Sequence, residues 1–213
     1  MYNILQQISE YLQKGDDEKV FSLTKQAIEQ SLSPKEILDN GLIAGMKIIG
    51  DQFKKHEIFL PDVLMAAKAM YAGMDQLKPL LLKDGIPSMG KVVLGTVHGD
   101  LHDIGKNLVG IMLKGAGFEV IDLGRDVPAE KFVETALNEQ VKVIGLSTLL
   151  TTTMPVMKEI INILKEKDTT NSIKIIVGGA PLSINYAKEI GADAYAYDAA
   201  NAVENVKALF GVN

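Results

Sequence analysis

Apolar positions recur along the chain with two different periods, and the change falls near residue 83. Through the first 82 residues they come three and four apart. Ile4, Leu5, Ile8 and Leu12 share one helical face, and Val20, Leu23, Ala27, Ile28 and Leu32 form a second stripe. "SPKE" (33–36) predicts a helix start, with Ser33 as cap, Pro34 in the first turn and Glu36 completing a capping box. Ile37, Leu38, Leu42, Met46, Ile49 and Phe53 continue that stripe. "FLPDV" predicts a fourth start, with Pro61 in its first turn and Val63, Leu64, Ala67, Met70, Met74 and Leu77 following. Four helices on short connections predict a small bundle over 1–82, with Met46, Met65, Met70 and Met74 as core filler.

"KDGIPSMG" (83–90) interrupts the pattern with two glycines and a proline and reads as a linker. Beyond it, short β-rich runs at 91–97, 119–123, 141–147, 173–177 and 194–197 alternate with helical patterns near 105–116, 128–139, 154–166, 183–190 and 200–210. Strands that are apolar nearly throughout, alternating with amphipathic helices, predict a parallel sheet covered on both faces. Five such units suit a flavodoxin-like (Rossmann-like) domain over 91–213 with strand order 2-1-3-4-5. The expected fold class is therefore α/β with an all-α N-terminal domain.

Composition narrows the partners. The net charge of −5 and the lack of a basic stripe argue against nucleic acid. No apolar run is long enough to span a bilayer, and "MYNILQQISEYLQ" lacks the basic-then-apolar layout of a signal peptide, so no membrane role is expected. The absence of cysteine removes disulfides and thiolate chemistry and suits a cytoplasmic protein.

In an open parallel sheet, ligands bind beyond the carboxyl ends of the strands, which here means the loops at 98–105, 147–153, 178–182 and 198–201. The first, "HGDLHDIGKN" from His98, holds two of the chain's three histidines; the second, "STLLTTTMP", is rich in hydroxyls; the third is "GGAP". His56, the remaining histidine, reads as solvated. Neither GxGxxG nor GxxxxGK[ST] follows the first strand, and Ser147 stands where a receiver domain would carry an acid. His98, Asp100, His102 and Asp103 are plausible ligands for a hydrolytic metal site. The other reading is a single histidine oriented by one carboxylate: Asp-x-His allows the acid to take Nδ1 and leave Nε2 as ligand, with Gly105 permitting a tight turn into a helix starting near Lys106.

"DLHDIG" resembles the Asp-x-His-x-x-Gly pattern of cobalamin-binding domains, with Asp100, His102 and Gly105 in the defining places. "STL" (147–149) resembles the Ser-x-Leu after the third strand, and Gly178-Gly179 the Gly-Gly after the fourth. "IFLPDVLMAAKAM" (58–70) resembles the helical segment that caps the corrin in cobalamin-dependent methionine synthase and its relatives. In order, spacing and domain content the chain is similar to the methyltransferase corrinoid proteins of methanol, methylamine and aryl methyl ether demethylation.

That resemblance implies cobalamin as cofactor, with His102 replacing its benzimidazole on cobalt and Asp100 on Nδ1. It implies Leu101, Asp103, Ile104 and Thr151 as further cofactor contacts, Ser147 and Leu149 along the nucleotide tail, and Gly178 and Gly179 making room for its base. Thr153 stands where methionine synthase has a serine that extends the histidine–aspartate relay. Phe59, Leu60, Val63 and Leu64 would shield the upper face, the bundle moving aside for partners. Those partners would be a substrate-specific methyltransferase, a second methyltransferase delivering the methyl group to tetrahydrofolate or a thiol, and a reductive activator. Two other readings stay open at this point. One is a cobalamin-dependent sensor, which needs an output module; the other is a metal hydrolase built on His98, Asp100 and His102, with no corrinoid. His98 is otherwise expected to stand near the site without a ligand role. Plainer roles also remain for Ser147 (ending a strand), Thr151 to Thr153 (capping a helix), Gly178-Gly179 (a turn) and Phe59 to Leu64 (bundle core).

Overall fold

The computed structural model describes residues 4–83, 88–168 and 171–212. The chain divides into two compact units, chiefly Met1–Ser88 and Met89–Asn213. Of the expected linker over 83–90, residues 84–87 lie outside the described residues.

The first unit is helical: α1 (Ile4–Gln13), α2 (Asp17–Glu29), α3 (Pro34–Ile37), a π-helical turn over Leu38–Ile43, α4 (Ala44–Lys54) and α5 (Leu60–Lys83). Its starts follow from local chemistry. Asp16 accepts the Lys19 N–H ahead of α2, and Ser33 accepts the Glu36 N–H with Pro34 in the first turn of α3. From α3 to α4 the backbone is helical without a break, but the turn between them closes i→i+5 bonds. Gly41 and Leu42 are both buried in that turn; Ile37, Leu42, Met46 and Ile49 keep the expected inward face, while Leu38 and Phe53 are half-buried. In α5 the buried face is Val63, Ala66, Ala67, Met70, Leu77 and Leu81. Leu64, expected on that stripe, is exposed, and so is Met65, which is not core filler. The segment 59–64 therefore separates into core (Val63) and surface (Phe59, Leu64). Phe59 caps α5: its N–H donates to the Asp62 carboxylate at 2.9 Å, and the residue is 70% exposed.

The second unit alternates β1 (Lys91–Thr96), α6 (Ile104–Gly115), β2 (Glu119–Asp122), α7 (Ala129–Asn138), β3 (Val143–Ser147), α8 (Met154–Lys167), β4 (Lys174–Gly178), α9 (Ile184–Ile190), β5 (Ala194–Ala196) and α10 (Ala199–Phe210). The five strands are parallel in the order β2-β1-β3-β4-β5, as the sequence predicts. Burial explains the central order: β1, β3 and β4 are almost wholly covered, while edge strand β2 is exposed at both ends. The core gathers Val93, Ile144, Ile175 and Val177 of the sheet with Phe132, Met157 and Ile160 of the helices. In register, Thr96 pairs with Ser147 and Ser147 with Gly178, so three of the predicted ligand loops leave the sheet side by side.

Candidate functional site

The site is built around a buried carboxylate. After β1 the chain passes Val97, which bridges to Val127, and turns so that the Asp100 N–H donates to the Val97 carbonyl. Asp100 is completely buried. Its Oδ1 accepts the His102 N–H at 2.9 Å and His102 Nδ1 at 2.8 Å. Its Oδ2 accepts Thr148 Oγ1 at 2.8 Å, the Leu149 N–H at 2.6 Å and the Leu150 N–H at 3.2 Å, with Thr153 Oγ1 at 3.3 Å. The β3–α8 loop thus forms a nest of donors for one carboxylate oxygen. Burial pushes the Asp100 pKa up. The backbone N–H groups of His102 and Leu149, together with the His102 ring and the Thr148 hydroxyl, outweigh that and hold it well below the usual carboxylate range.

An ionised carboxylate only accepts, so His102 Nδ1 carries the proton and Nε2 carries the lone pair. Thr96, buried at the end of β1, fixes the same residue from behind by donating its hydroxyl to the His102 carbonyl at 3.0 Å. The His102 side chain is half exposed, and Nε2 has no protein partner among the described residues. A one-nitrogen donor of set tautomer is presented at the surface.

Around it the exposed apolar side chains of this unit gather at the sheet's carboxyl edge. Leu101 and Ile104 follow β1, Leu149 and Leu150 follow β3, Ile184 follows β4 and Tyr197 follows β5; Leu137 lies elsewhere. Gly105 does not make the expected tight turn. It is the second residue of α6, its φ lies outside the left-handed region, and nothing stands within 4 Å of where a Cβ would sit. Its lack of a side chain leaves that helix start bare. Gly179 is different: at φ +143° a Cβ would fall 1.8 Å from the Thr148 carbonyl oxygen, so the chain itself demands glycine there. Ser147 and Gly178 are half-buried strand ends, Asp103 is half-buried, and Thr151 is exposed. Thr153 precedes α8 without a side-chain cap bond and belongs instead to the Asp100 cluster.

His98 makes a pair of its own. Its Nδ1 lies 2.8 Å from Asp126 Oδ1, which also accepts the Gly99 N–H at 2.7 Å, while the Asp126 N–H donates to the Asp100 carbonyl at 3.0 Å. His98 therefore pairs with Asp126 and stands apart from the Asp100–His102 pair, and no group of three or more His, Cys, Asp or Glu among the described residues could hold a metal ion. His56 is exposed.

Three groups escape a reading of the sequence. Thr148 lies inside the hydroxyl-rich loop, and strand alternation past Ser147 was the available signal. Asp126, in "GRDVP", had none. Lys106 is buried at the start of α6, where the helix dipole disfavours a cation. Its Nζ is compensated by both Asp122 oxygens at 2.6 Å and by Asn107 Oδ1 at 2.7 Å, which pins α6 to the end of β2.

Two family models match the chain: a B12 binding domain over 90–207 and a second B12 binding domain over 4–78. The chain is 44% identical over 212 residues to a corrinoid protein of Desulfitobacterium hafniense, covering 98% of each. It is 49% identical over 179 residues to dimethylamine corrinoid protein 1 of Methanosarcina acetivorans, covering 84% of each. Among solved structures it is similar to a chain of the methanol:cobalamin methyltransferase complex MtaBC from Methanosarcina barkeri. That match has a TM-score of 0.88 and 31% identity, and covers 99% of this chain and 80% of that one. No helix among the described residues is long and apolar enough to cross a membrane.

Proposed function

The chain belongs to the family of B12-binding domains, and from that premise we propose that it is a methyl-carrying corrinoid protein of a cobalamin-dependent methyltransferase system. It accepts a methyl group from a substrate-specific methyltransferase acting on a methylated amine or alcohol. It yields the group to a second methyltransferase serving tetrahydrofolate or a thiol, with a reductive activator restoring the lapsed cofactor, all in the cytoplasm. The carrying observation is the Asp100–His102 pair: a buried, ionised carboxylate that fixes one tautomer and leaves Nε2 free.

The residues present fit the cofactor. Such a group needs a nitrogen donor and an apolar floor without protruding bulk. His102 offers the nitrogen, Leu101, Ile104 and Leu149 the floor, and Gly105 the missing bulk. Bound there, the corrinoid supplies a cobalt centre that takes up and releases the methyl group. His102 would hold it through Nε2, while Asp100 keeps the proton on Nδ1 and fixes the direction of the ring. Asp103 and Thr151 would meet the amide rim, and Ser147, Gly178 and Gly179 the nucleotide tail. Phe59 and Leu64 are exposed on the helical unit, as a role as further cofactor contacts requires.

The test is reconstitution with hydroxocobalamin, desalting and an absorption spectrum: retained corrinoid near one per chain supports the reading, and none sinks it. Limited proteolysis tests the linker: cutting at 83–90 no faster than elsewhere, with or without a partner enzyme, weighs against it.

A further inference from the structure

The geometry points to Thr148 as the hydroxyl that fixes Asp100 toward His102, with Thr153 acting on Asp100 through Thr148 and not directly. This deepens the reading of His102 as the metal-facing imidazole and rests on it.

Proton counting decides the order. Thr148 Oγ1 lies 2.8 Å from Asp100 Oδ2, 2.5 Å from Thr153 Oγ1 and 3.3 Å from the Leu150 carbonyl. Thr153 Oγ1 lies 3.0 Å from the same carbonyl and 3.3 Å from Asp100 Oδ2. Each hydroxyl has one proton, and the carboxylate and the carbonyl have none to give. If Thr148 donated to Thr153, its 2.8 Å contact with Asp100 would set lone pair against lone pair. If Thr153 donates to Thr148 and Thr148 to Asp100, both of the shortest contacts hold a proton. The Leu150 carbonyl then gives up the Thr153 hydroxyl at 3.0 Å but is not left without a donor, because the Thr153 N–H donates to it at 3.2 Å.

The seat of Thr148 is equally specific. It is 1% exposed, so no water replaces its hydroxyl. Its N–H donates to the Gly178 carbonyl at 3.3 Å, and its own carbonyl fills the space a Cβ on Gly179 would need. The Gly-Gly pair thus seats the threonine that holds the carboxylate. With Oδ2 held, rotation of the carboxylate is blocked and Oδ1 stays on His102.

The variants are Thr148→Val, which keeps the shape and removes the hydroxyl, Thr148→Ser, which restores it, and Thr153→Val. The first readout needs no cofactor: solvent exchange of the His102 Nδ1 proton, followed by proton–nitrogen NMR in the full chain labelled at histidine. Thr148→Val should speed exchange on the order of tenfold, the loss expected for one bond to a charged acceptor. Thr153→Val should speed it clearly less, and Thr148→Ser should match the unmodified chain. The second readout loads hydroxocobalamin, reduces it to the paramagnetic form and measures the histidine-bound fraction from nitrogen coupling, with the same order expected. Exchange in Thr153→Val equal to or above that in Thr148→Val overturns the proposal, as does failure of Thr148→Ser to restore it. Should circular dichroism show Thr148→Val unfolded, Thr153→Val still decides: a tenfold rise there refutes the order. A chain that retains no corrinoid refutes the functional reading and leaves the exchange result standing.

Discussion

Two histidine–aspartate pairs sit at the same edge of the sheet with the same Nδ1 to carboxylate distance of 2.8 Å, and they are not equivalent. Asp100 is buried under donors from two loops, so its orientation is overdetermined. Asp126 is 46% exposed along its side chain and, among the described residues, its carboxylate meets only His98 and the Gly99 N–H. In water-like surroundings such a pair is screened and contributes little; in the interior the same contact fixes a tautomer and a direction. A distance does not make an oriented ligand. The donors on the far side of the carboxylate do.

The sharpest way to break that contrast is to remove each imidazole in turn. His102→Ala should abolish nitrogen coupling to the reduced metal while part of the corrinoid remains bound through its tail. His98→Ala should leave the coupling unchanged. Equal losses would mean that burial of Asp100 is irrelevant to ligation.

The carboxylates come next. Asp100→Asn turns an acceptor into a group that is half donor, facing either the His102 N–H groups or the Thr148–Leu150 nest. Chemical denaturation should show a loss of about 2–4 kcal/mol. The pH dependence carries a sign. The folded-state pKa of Asp100 is lowered, so its stabilisation is fully present above the unfolded value of about 4 and is lost as pH falls through the lowered folded value. The stability gap between wild type and Asp100→Asn should therefore narrow as the medium is acidified below about pH 4. A constant gap would show that the carboxylate is not held ionised.

Much of this is legible in the sequence. The strand order followed from apolar runs alternating with amphipathic helices, because a sheet buried on both faces leaves that trace in composition. Asp100 and His102 were readable because a tautomer-fixing pair has a fixed local spacing. What escaped depends on contacts across the sheet. Thr148 matters only because β1 and β3 are neighbours in register, and Asp126 only because the β2–α7 loop folds back on His98. Within the helical unit, 3.6-residue periodicity names the buried Ile37, Leu42, Met46 and Ile49 but carries no sign of the π-helical turn over Leu38–Ile43. Gly179 illustrates the same limit: its resemblance to a ligand-binding glycine was legible, but the neighbour that excludes a Cβ is the Thr148 carbonyl, 31 positions away in "STL".

Thr96 supports the buried pair from the strand side, and its removal should have an intermediate effect. Thr96→Val leaves the His102 carbonyl without its hydroxyl donor in a buried setting, which should lower stability by about 1 kcal/mol. If the pair is held from both sides, the same variant should also raise Nδ1 proton exchange, though by less than Thr148→Val.

The smallest effect belongs to the exposed pair, and salt sharpens it. The Gly99 N–H lowers the Asp126 pKa most; burial opposes it, and the neighbouring His98 adds to the lowering. Asp126→Asn keeps an oxygen for the Gly99 N–H and removes only the charge opposite His98. Its melting temperature should match wild type within error at 1 M salt, with at most a slight decrease at low salt, since screening acts on exposed charges over about 3 Å at that strength. Asp126 nonetheless sits at φ +55° with its own N–H on the Asp100 carbonyl, a backbone bond that Asn preserves and tolerates. The nitrogen coupling of His102 should therefore be unaffected. A loss of coupling in Asp126→Asn would show that charge on the outer pair reaches the inner one, and the two would have to be treated as a single network.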